Sequence, residues 1–532
     1  MLLSRRDFLA RTCAAAIGGV MGERELAAAR VGRVRSFEVC LTPDALERDP
    51  QLLPVLRDAG VTTVWLAGFF YGHWPFSPER LGAARRQLER AGLEVHVVNV
   101  PLGHPGDSLG ATQGDFPLTP PAHWRTATRP DGKTYVGTSL HEPATRQNAD
   151  AIRRLRAVGF DRFFVDDDFR LARSPGEIGG CFCRVHREEF LRAGGYTSGQ
   201  WDELIEDVRR RRLSHLLRDW IEFHCFRLTE SFRAQQRAAG RGKLGIMVMY
   251  LGAEKAGIRL RDYANAPFRV GELMFDDASF GSVKGKTDEL FSALFHRRFA
   301  RPDLAFSETT AFPADRLSAR NLAAKLAVST IADVRHTMFM SGVTPFPRAH
   351  WEVLKPAMKV QANHHALVAG HKPRGPFKHF WGEASRMVGN DQPFSLFLAV
   401  GVPFEVTAEA AHDGWTFLSN FDARAVGEGS LRTRGGQWVC RSSAGARPAD
   451  ALVVEESLKA MFEWKHRIAG TLGHVPHVEE DEPVVCAWYP SARRVLLWNL
   501  SEESRRLTVT HRQTRRQVEV EGLGTAVLDT GP

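Results

Sequence analysis

Arg162-Phe163-Phe164-Val165-Asp166-Asp167-Asp168-Phe169-Arg170 runs from an apolar, strand-like segment straight into three consecutive carboxylates and an arginine. Adjacent negative charges repel one another, and burying a charge costs several kcal/mol unless it is paired. Folding alone gives no reason to put three of them at the mouth of a buried strand. In parallel α/β folds, ligands bind beyond the carboxyl ends of the strands. The stretch therefore reads as a strand that ends in a site. The bland alternative is a strand end with one capping Asp and two solvated ones.

Outward from this stretch, strand-like and helix-like segments alternate. Ser36–Leu41, Thr63–Ala67 and Glu94–Val100 read as strands one to three, with helices closing at Gly60 and Gly92. Glycine suits those ends because it accepts the left-handed backbone of a helix C-terminus. A Pro- and Gly-rich excursion precedes strand four, the Asp-rich stretch. Lys243–Tyr250 reads as strand five and Val270–Phe275 as strand six, ending in Asp276-Asp277. Asp303–Ser307 reads as strand seven, ending in Glu308, and His336–Met340 as strand eight. Eight strand-then-helix units predict a (β/α)8 barrel. An open doubly wound sheet is the competing architecture, but no Gly-rich dinucleotide fingerprint or phosphate loop supports it.

After about residue 372 the texture changes to short apolar runs, including Phe394–Val400 and Gln437–Cys440, which suggest a small α/β domain. From Pro483 an alternating pattern, Val484–Tyr489 then Val495–Asn499 and Arg506–Thr510, predicts a small β-sandwich. The expected organisation is a leader over 1–30, a barrel over 31–372, an α/β domain over 373–475 and a β domain over 476–532.

The 532 residues, 43% hydrophobic and 25% charged, describe a globular chain of two or three domains. The formal charge of +9 is dispersed. Its one run, Arg209-Arg210-Arg211-Arg212, reads as a solvated helix face, so nucleic acid is not an expected partner. Ser4-Arg5-Arg6-Asp7-Phe8-Leu9 precedes a short apolar run, Cys13–Met21, and then Ala27-Ala28-Ala29. Paired arginines, a modest apolar core and small residues read as a twin-arginine export signal, which implies a periplasmic or secreted protein. That run is short of the roughly 20 residues a membrane span needs, and no other segment is apolar enough, so no span is expected after cleavage. Of seven cysteines, Cys40, Cys225, Cys440 and Cys486 sit in apolar contexts and read as small buried hydrophobes.

On a barrel, Asp166, Asp167, Asp168, Asp276, Asp277 and Glu308 would share one rim. Paired carboxylates there either hydrolyse glycosidic bonds or hold a hard cation such as Mg²⁺ or Ca²⁺. Phe69-Phe70-Tyr71-Gly72-His73-Trp74 after strand two offers aromatic faces on which sugars stack. Tyr71, His73, Trp74, Tyr250, Asp166, Arg170, Asp276 and Asp277 are the expected substrate-binding set.

These residues carry a resemblance. Phe164–Arg170 with Gly180-Cys-Phe-Cys-Arg-Val-His186, Ser307–Pro313 and Leu398–Phe404 are similar to the glycoside hydrolase family 42 group of β-galactosidase-like enzymes. That family joins a catalytic barrel to a glutamine-amidotransferase-like domain and a small β domain. The resemblance implies Glu308 as nucleophile. The family's acid is a Glu in an Asn-Glu pair ending strand four. Here Asp166-Asp167-Asp168 stand in that place, and Asp167 and Asp168 are the candidate acids. Cys181-x-Cys183-x-x-His186 resembles part of a zinc-binding cysteine cluster of some family members, with His in place of a Cys and no fourth ligand nearby in the sequence. A structural zinc is the one cofactor this implies; the hydrolysis itself requires none. The amidotransferase-like region carries only Cys440, in an apolar strand context, and is expected to be inert in glutamine chemistry.

Three functions are consistent with these residues: an exported glycosidase acting on a carbohydrate, a non-catalytic carbohydrate-binding or structural barrel, and a metal-dependent hydrolase using Asp166, Asp168 and Asp276. A homo-oligomer is compatible with each.

Overall fold

The structure, a computed structural model, describes residues 34–102, 120–166, 169–173, 176–271, 273–409, 413–429 and 436–531. The export signal and the candidate acids Asp167 and Asp168 lie outside the described residues.

Eight parallel strands close into a barrel: β1 Ser36–Leu41, β2 Thr63–Phe70, β3 Glu94–Val100, β4 Phe163–Val165, β5 Leu244–Val248, β6 Phe268–Val270, β7 Ala305–Thr310 and β8 His336–Met340. Closure comes from β8 pairing with β1, with Ser36 opposite His336. Alternation along each strand sends every second side chain inward. Cys40, Trp65, Val98, Phe164, Phe306, Met338 and Met340 fill the interior as one apolar cluster. Below them, Glu38 accepts hydrogen bonds from Trp65 Nε1 at 2.5 Å and Ser36 Oγ at 2.7 Å, and His336 Nδ1 lies 3.1 Å away.

Two strands depart from the sequence-based expectation. Strand six is Phe268–Val270, upstream of the expected Val270–Phe275. Gly271 leaves the ladder so close to β5 that a Cβ there would collide with the Val248 carbonyl. The strand also carries a buried arginine, Arg269, which breaks the apolar run and draws the reading downstream. Strand seven continues to Thr310, so Glu308 stands within it, opposite Met338. A register shift in β2 between Ala67 and Phe70 turns Phe70 and Tyr71 over the barrel mouth. It requires Gly68, where a Cβ would strike Asn99 and Val97.

The excursion after β4 holds three helices, Arg184–Gly194, Ser198–Arg210 and His215–Ala239. The barrel's last helix is Arg348–Val368. Beyond it, β9 Phe377–Phe380, β10 Phe404–Thr407, β11 Trp415–Leu418, β12 Gln437–Arg441 and β13 Leu452–Val454 form a parallel sheet in the order β10-β9-β11-β12-β13. Cys440 is buried in β12, and burial pushes its thiol up to about 11. At the C-terminus two three-stranded antiparallel sheets pack on a shared core of Val484, Cys486, Leu497, Leu507 and Val509. The expected α/β fold with a barrel, a small α/β domain and a β-sandwich is thus the architecture observed. No helix among the described residues is long and apolar enough to cross a membrane.

Candidate active site

The carboxyl ends of β4 and β7 bring Asp166 and Glu308 to the floor of a pocket, which encloses about 650 Å³ counting its open mouth. Asp166 is the residue after β4, fixed by its N–H, which donates to Asn99 O at 2.7 Å. Glu308 points inward from β7. Ser307 and Thr309 occupy the opposite face of that strand, their hydroxyls bonded to each other at 3.0 Å. Both carboxylates are buried, 4% and 5% exposed.

Arg269 joins them. This fully buried residue of β6 pairs through Nη2 with Asp166 Oδ1 and, at 3.7 Å, with Glu308 Oε1. Its guanidinium rests on two sulfurs, Met247 Sδ at 2.8 Å and Met338 Sδ at 3.2 Å. Two buried like charges are costly side by side, and one cation between them offsets both desolvation and repulsion. Cys40, also on the pocket wall, has its thiol pushed well up by burial and then by the Asp166 charge, so it is no nucleophile.

Trp65, Phe70, Tyr71, Phe275 and Phe312 form much of the wall. Tyr71 is therefore where a substrate-binding residue should be, held in a left-handed backbone conformation at φ 54°. Its expected companions are elsewhere. Trp74 packs on Phe69, ring centres 5.0 Å apart, and carries the Arg154 guanidinium 4.8 Å from its own centre. His73 closes the turn through backbone bonds with Phe70. Tyr250 is buried in the main apolar core, and its neighbour Met249 lines the pocket instead.

Asp276 and Asp277 follow the pocket-lining Phe275 but, contrary to expectation, do not line the pocket with Asp166 and Glu308. Asp276 caps the short helix Asp277–Phe280, accepting from Ser279 N at 2.8 Å. Asp277 accepts from Ser318 N at 3.0 Å and Asn321 Nδ2 at 2.7 Å. Both serve helix ends because strand six stops earlier than expected. Arg170 donates to Ala172 O at 3.2 Å and Arg173 O at 3.4 Å and touches Met249 Sδ at 2.8 Å. The cation that joins Asp166 and Glu308 is Arg269.

Cys183 and His186 gather with a residue the sequence did not offer, His141. Cys183 Sγ lies 3.5 Å from His141 Nε2 and 3.6 Å from His186 Nδ1, and the two imidazoles stack at 4.3 Å. The ligand atoms of all three fall within 4.8 Å of one another. The buried Cys181 is hydrogen-bonded to Cys183, which pulls the Cys183 thiol far down, aided by the two histidines, while Cys181 is pushed up. His141 joins from 42 residues away along the chain, so three ligand atoms converge, with Cys181 outside that group. One thiol and two imidazoles are donors zinc takes, one short of the four N/S ligands of a structural site.

Arg269 could have been suspected from the sequence as a charge between Phe268 and Val270, the alternating pattern of an inward-facing residue. His141 carries no such signal; only the fold brings it across.

No family model matches the chain, and no curated protein matches it in sequence. Solved structures do match its shape. A β-galactosidase from Bacillus circulans sp. alkalophilus superposes with a TM-score of 0.59 at 8% identity, over 93% of this chain and 98% of that one. The cold-adapted β-galactosidase from Rahnella sp. R3 gives 0.58 at 10% identity, over 93% and 98%. A family 42 β-galactosidase from G. stearothermophilus gives 0.57 at 10%, over 92% and 97%. The chain therefore has, over nearly its full length, the fold of the family 42 β-galactosidases.

Proposed function

We propose that this protein is an exported glycosidase whose nucleophile is Glu308. One observation carries the reading: carboxylates from the ends of β4 and β7 share a single buried guanidinium at the floor of an aromatic-walled pocket. A nucleophilic carboxylate must be ionised, and an adjacent guanidinium favours that form. In the first step a Glu308 oxygen bonds to the anomeric carbon as the glycosidic C–O bond breaks, and the departing oxygen takes a proton from an acid of the Asp cluster. Arg269 holds Asp166 as a carboxylate, which leaves the acid role to Asp167 or Asp168. Water then attacks the glycosyl–enzyme ester, giving its proton back to that acid and releasing Glu308. The test is a Glu308→Gln variant assayed on aryl glycosides, with anomers followed by NMR. Retention in the wild type, and loss of turnover in a folded variant, is the expected result. A folded variant with normal turnover ends the reading.

Export belongs to the same proposal. Replacing Arg5 and Arg6 by lysine should leave precursor in the cytoplasm, and normal export of that variant would refute the twin-arginine route.

A structural zinc would be held by Cys183, His186 and His141, with Cys181, next to Cys183, as the candidate fourth donor, tying the loop after β4 to the segment ahead of the helix Ala144–Ala157. Bound there, zinc would cross-link the two segments and take no part in hydrolysis. Metal analysis should find about one zinc per chain, and a chelator should lower Tm. Metal-free protein with an unchanged Tm would exclude it.

A further inference from the structure

The barrel's last helix, Arg348–Val368, carries residues for packing on two opposite faces. Its inner face, Trp351, Leu354, Met358, Gln361, His365 and Val368, is buried. Gln361 and His365 are satisfied there, by Thr330 at 2.8 Å and Asp333 at 2.9 Å. The same steps of three and four recur on the far side. Ala349, Val353, Pro356, Val360, Asn363 and Leu367 follow one another at those steps, and all stand exposed. Val353, Val360 and Leu367 are 41%, 46% and 48% exposed, and they are three of the six large apolar side chains so placed among the described residues. Single exposed hydrophobes need no explanation. Three of them at seven-residue spacing on one helix form a seam, and packing on the barrel uses the other face.

The spacing selects the occupant. Apolar residues at alternating steps of three and four are what one helix presents to another lying nearly along it. An extended peptide adds to a sheet edge instead, and a membrane surface calls for a polar face rich in lysine and arginine. Here the cations Arg348 and Lys355 are already paired, with Asp49 and Asp58. What is left beside the seam is one acid and one base, Glu352 and Lys359, exposed and without an ion pair among the described residues.

Glu352 and Lys359 lie one seven-residue repeat apart on the same flank. That is about 10 Å along a helix, too far for the two to meet within one chain. A second copy running antiparallel across a two-fold axis brings them together twice. Glu352 then stands beside the partner's Lys359, and Lys359 beside the partner's Glu352, while the two seams pack on each other. The flank is thus complementary to itself.

We propose that this seam is a self-association surface, joining two copies of the chain through an antiparallel pair of these helices. None of its residues lines the pocket of Asp166 and Glu308, so the proposal stands apart from the glycosidase reading.

Sedimentation velocity of the full chain over a concentration series tests it. The wild type should sediment as a dimer that dissociates on dilution. Val353→Arg with Val360→Arg should weaken self-association by roughly tenfold or more, with Tm unchanged. Glu352→Lys sets lysine against lysine and should weaken it by a smaller factor, most at low salt. The decisive variant is Glu352→Lys with Lys359→Glu. Exchanging both charges restores the two contacts of an antiparallel pair, so affinity should return close to that of the wild type. Any partner other than a second copy would still meet reversed charges. A chain monomeric at every concentration, an oligomer indifferent to the arginine substitutions in folded protein, or a double exchange that adds its losses would overturn the proposal.

Discussion

Two ion clusters are buried in this barrel, and they look alike until their surroundings are compared. Glu289 and Lys325, on the helices Val283–His296 and Ala319–Ala332, pair at 2.7 Å with no exposed side-chain surface on either. Lys325 Nζ also sits 5.0 Å from the centre of the Phe280 ring. Asp166, Arg269 and Glu308 are almost as deeply buried. The first cluster is sealed between two helices of the outer layer. The second stands at strand ends and forms the floor of a pocket. Burial of charge is therefore common to architecture and chemistry; an opening to a ligand is what separates them.

The largest expected effect follows from that separation. Glu308→Gln should lower turnover of a glycoside by several orders of magnitude while far-UV spectra and Tm stay near those of the wild type. Glu289→Gln should do the reverse, with activity falling only in proportion to folded protein. Equal activity losses in the two folded variants would erase the distinction between the clusters.

Next in size is the sealed pair. Lys325→Met leaves Glu289 buried without its cation, and losing one partner of a buried pair costs about 3–5 kcal/mol. The double change Lys325→Met with Glu289→Leu should recover much of that loss, as a helix-packing role requires. Denaturant midpoints measure both. At the pocket floor Arg269→Lys keeps the charge but loses the fork that reaches two carboxylates. It should lower kcat by roughly tenfold to a hundredfold, as small displacements of catalytic groups do. An unchanged kcat would show that Arg269 is scaffolding like Lys325.

The barrel was legible because its signals are local. β1, β3 and β8 begin and end where the strand-like runs do. Glu308 was legible for the same reason, as a charge at the end of a predicted buried strand. What escaped was set by distant contacts. Strand six was displaced because an inward arginine interrupts its apolar run, and the displacement put Asp276 and Asp277 at a strand end, whereas they serve helix ends outside the pocket lining. Trp74 looked like a sugar platform, but it packs on Phe69. His141 reaches Cys183 only once the barrel has formed.

The smallest effect concerns a third buried ion cluster, around Asp333, which sharpens the comparison at the barrel's far end. Asp333 ends the helix before β8, at the bottom of the barrel, away from the pocket floor. It accepts from His365 Nε2 at 2.9 Å, Arg335 Nε at 3.2 Å, Gly370 N at 3.1 Å and Arg297 Nη2 at 3.4 Å. Burial alone would raise its pKa, but the His365 bond and charge, with Arg335 and Arg297, outweigh it and hold the carboxyl below the usual range. A carboxyl with a depressed folded pKa adds stability that is fully present above its unfolded value, about 3.9, and is lost as pH falls through the folded value. Each unit of depression is worth about 1.4 kcal/mol. Denaturant titrations of the wild type should therefore show stability falling below about pH 4. In Asp333→Asn that fall should be shallower, from a lower starting stability at neutral pH, with kcat per folded molecule unchanged. If Asp333→Asn instead altered kcat at full occupancy of the folded state, the floor of the barrel would be coupled to its mouth, and burial without an opening would no longer mark a purely structural charge.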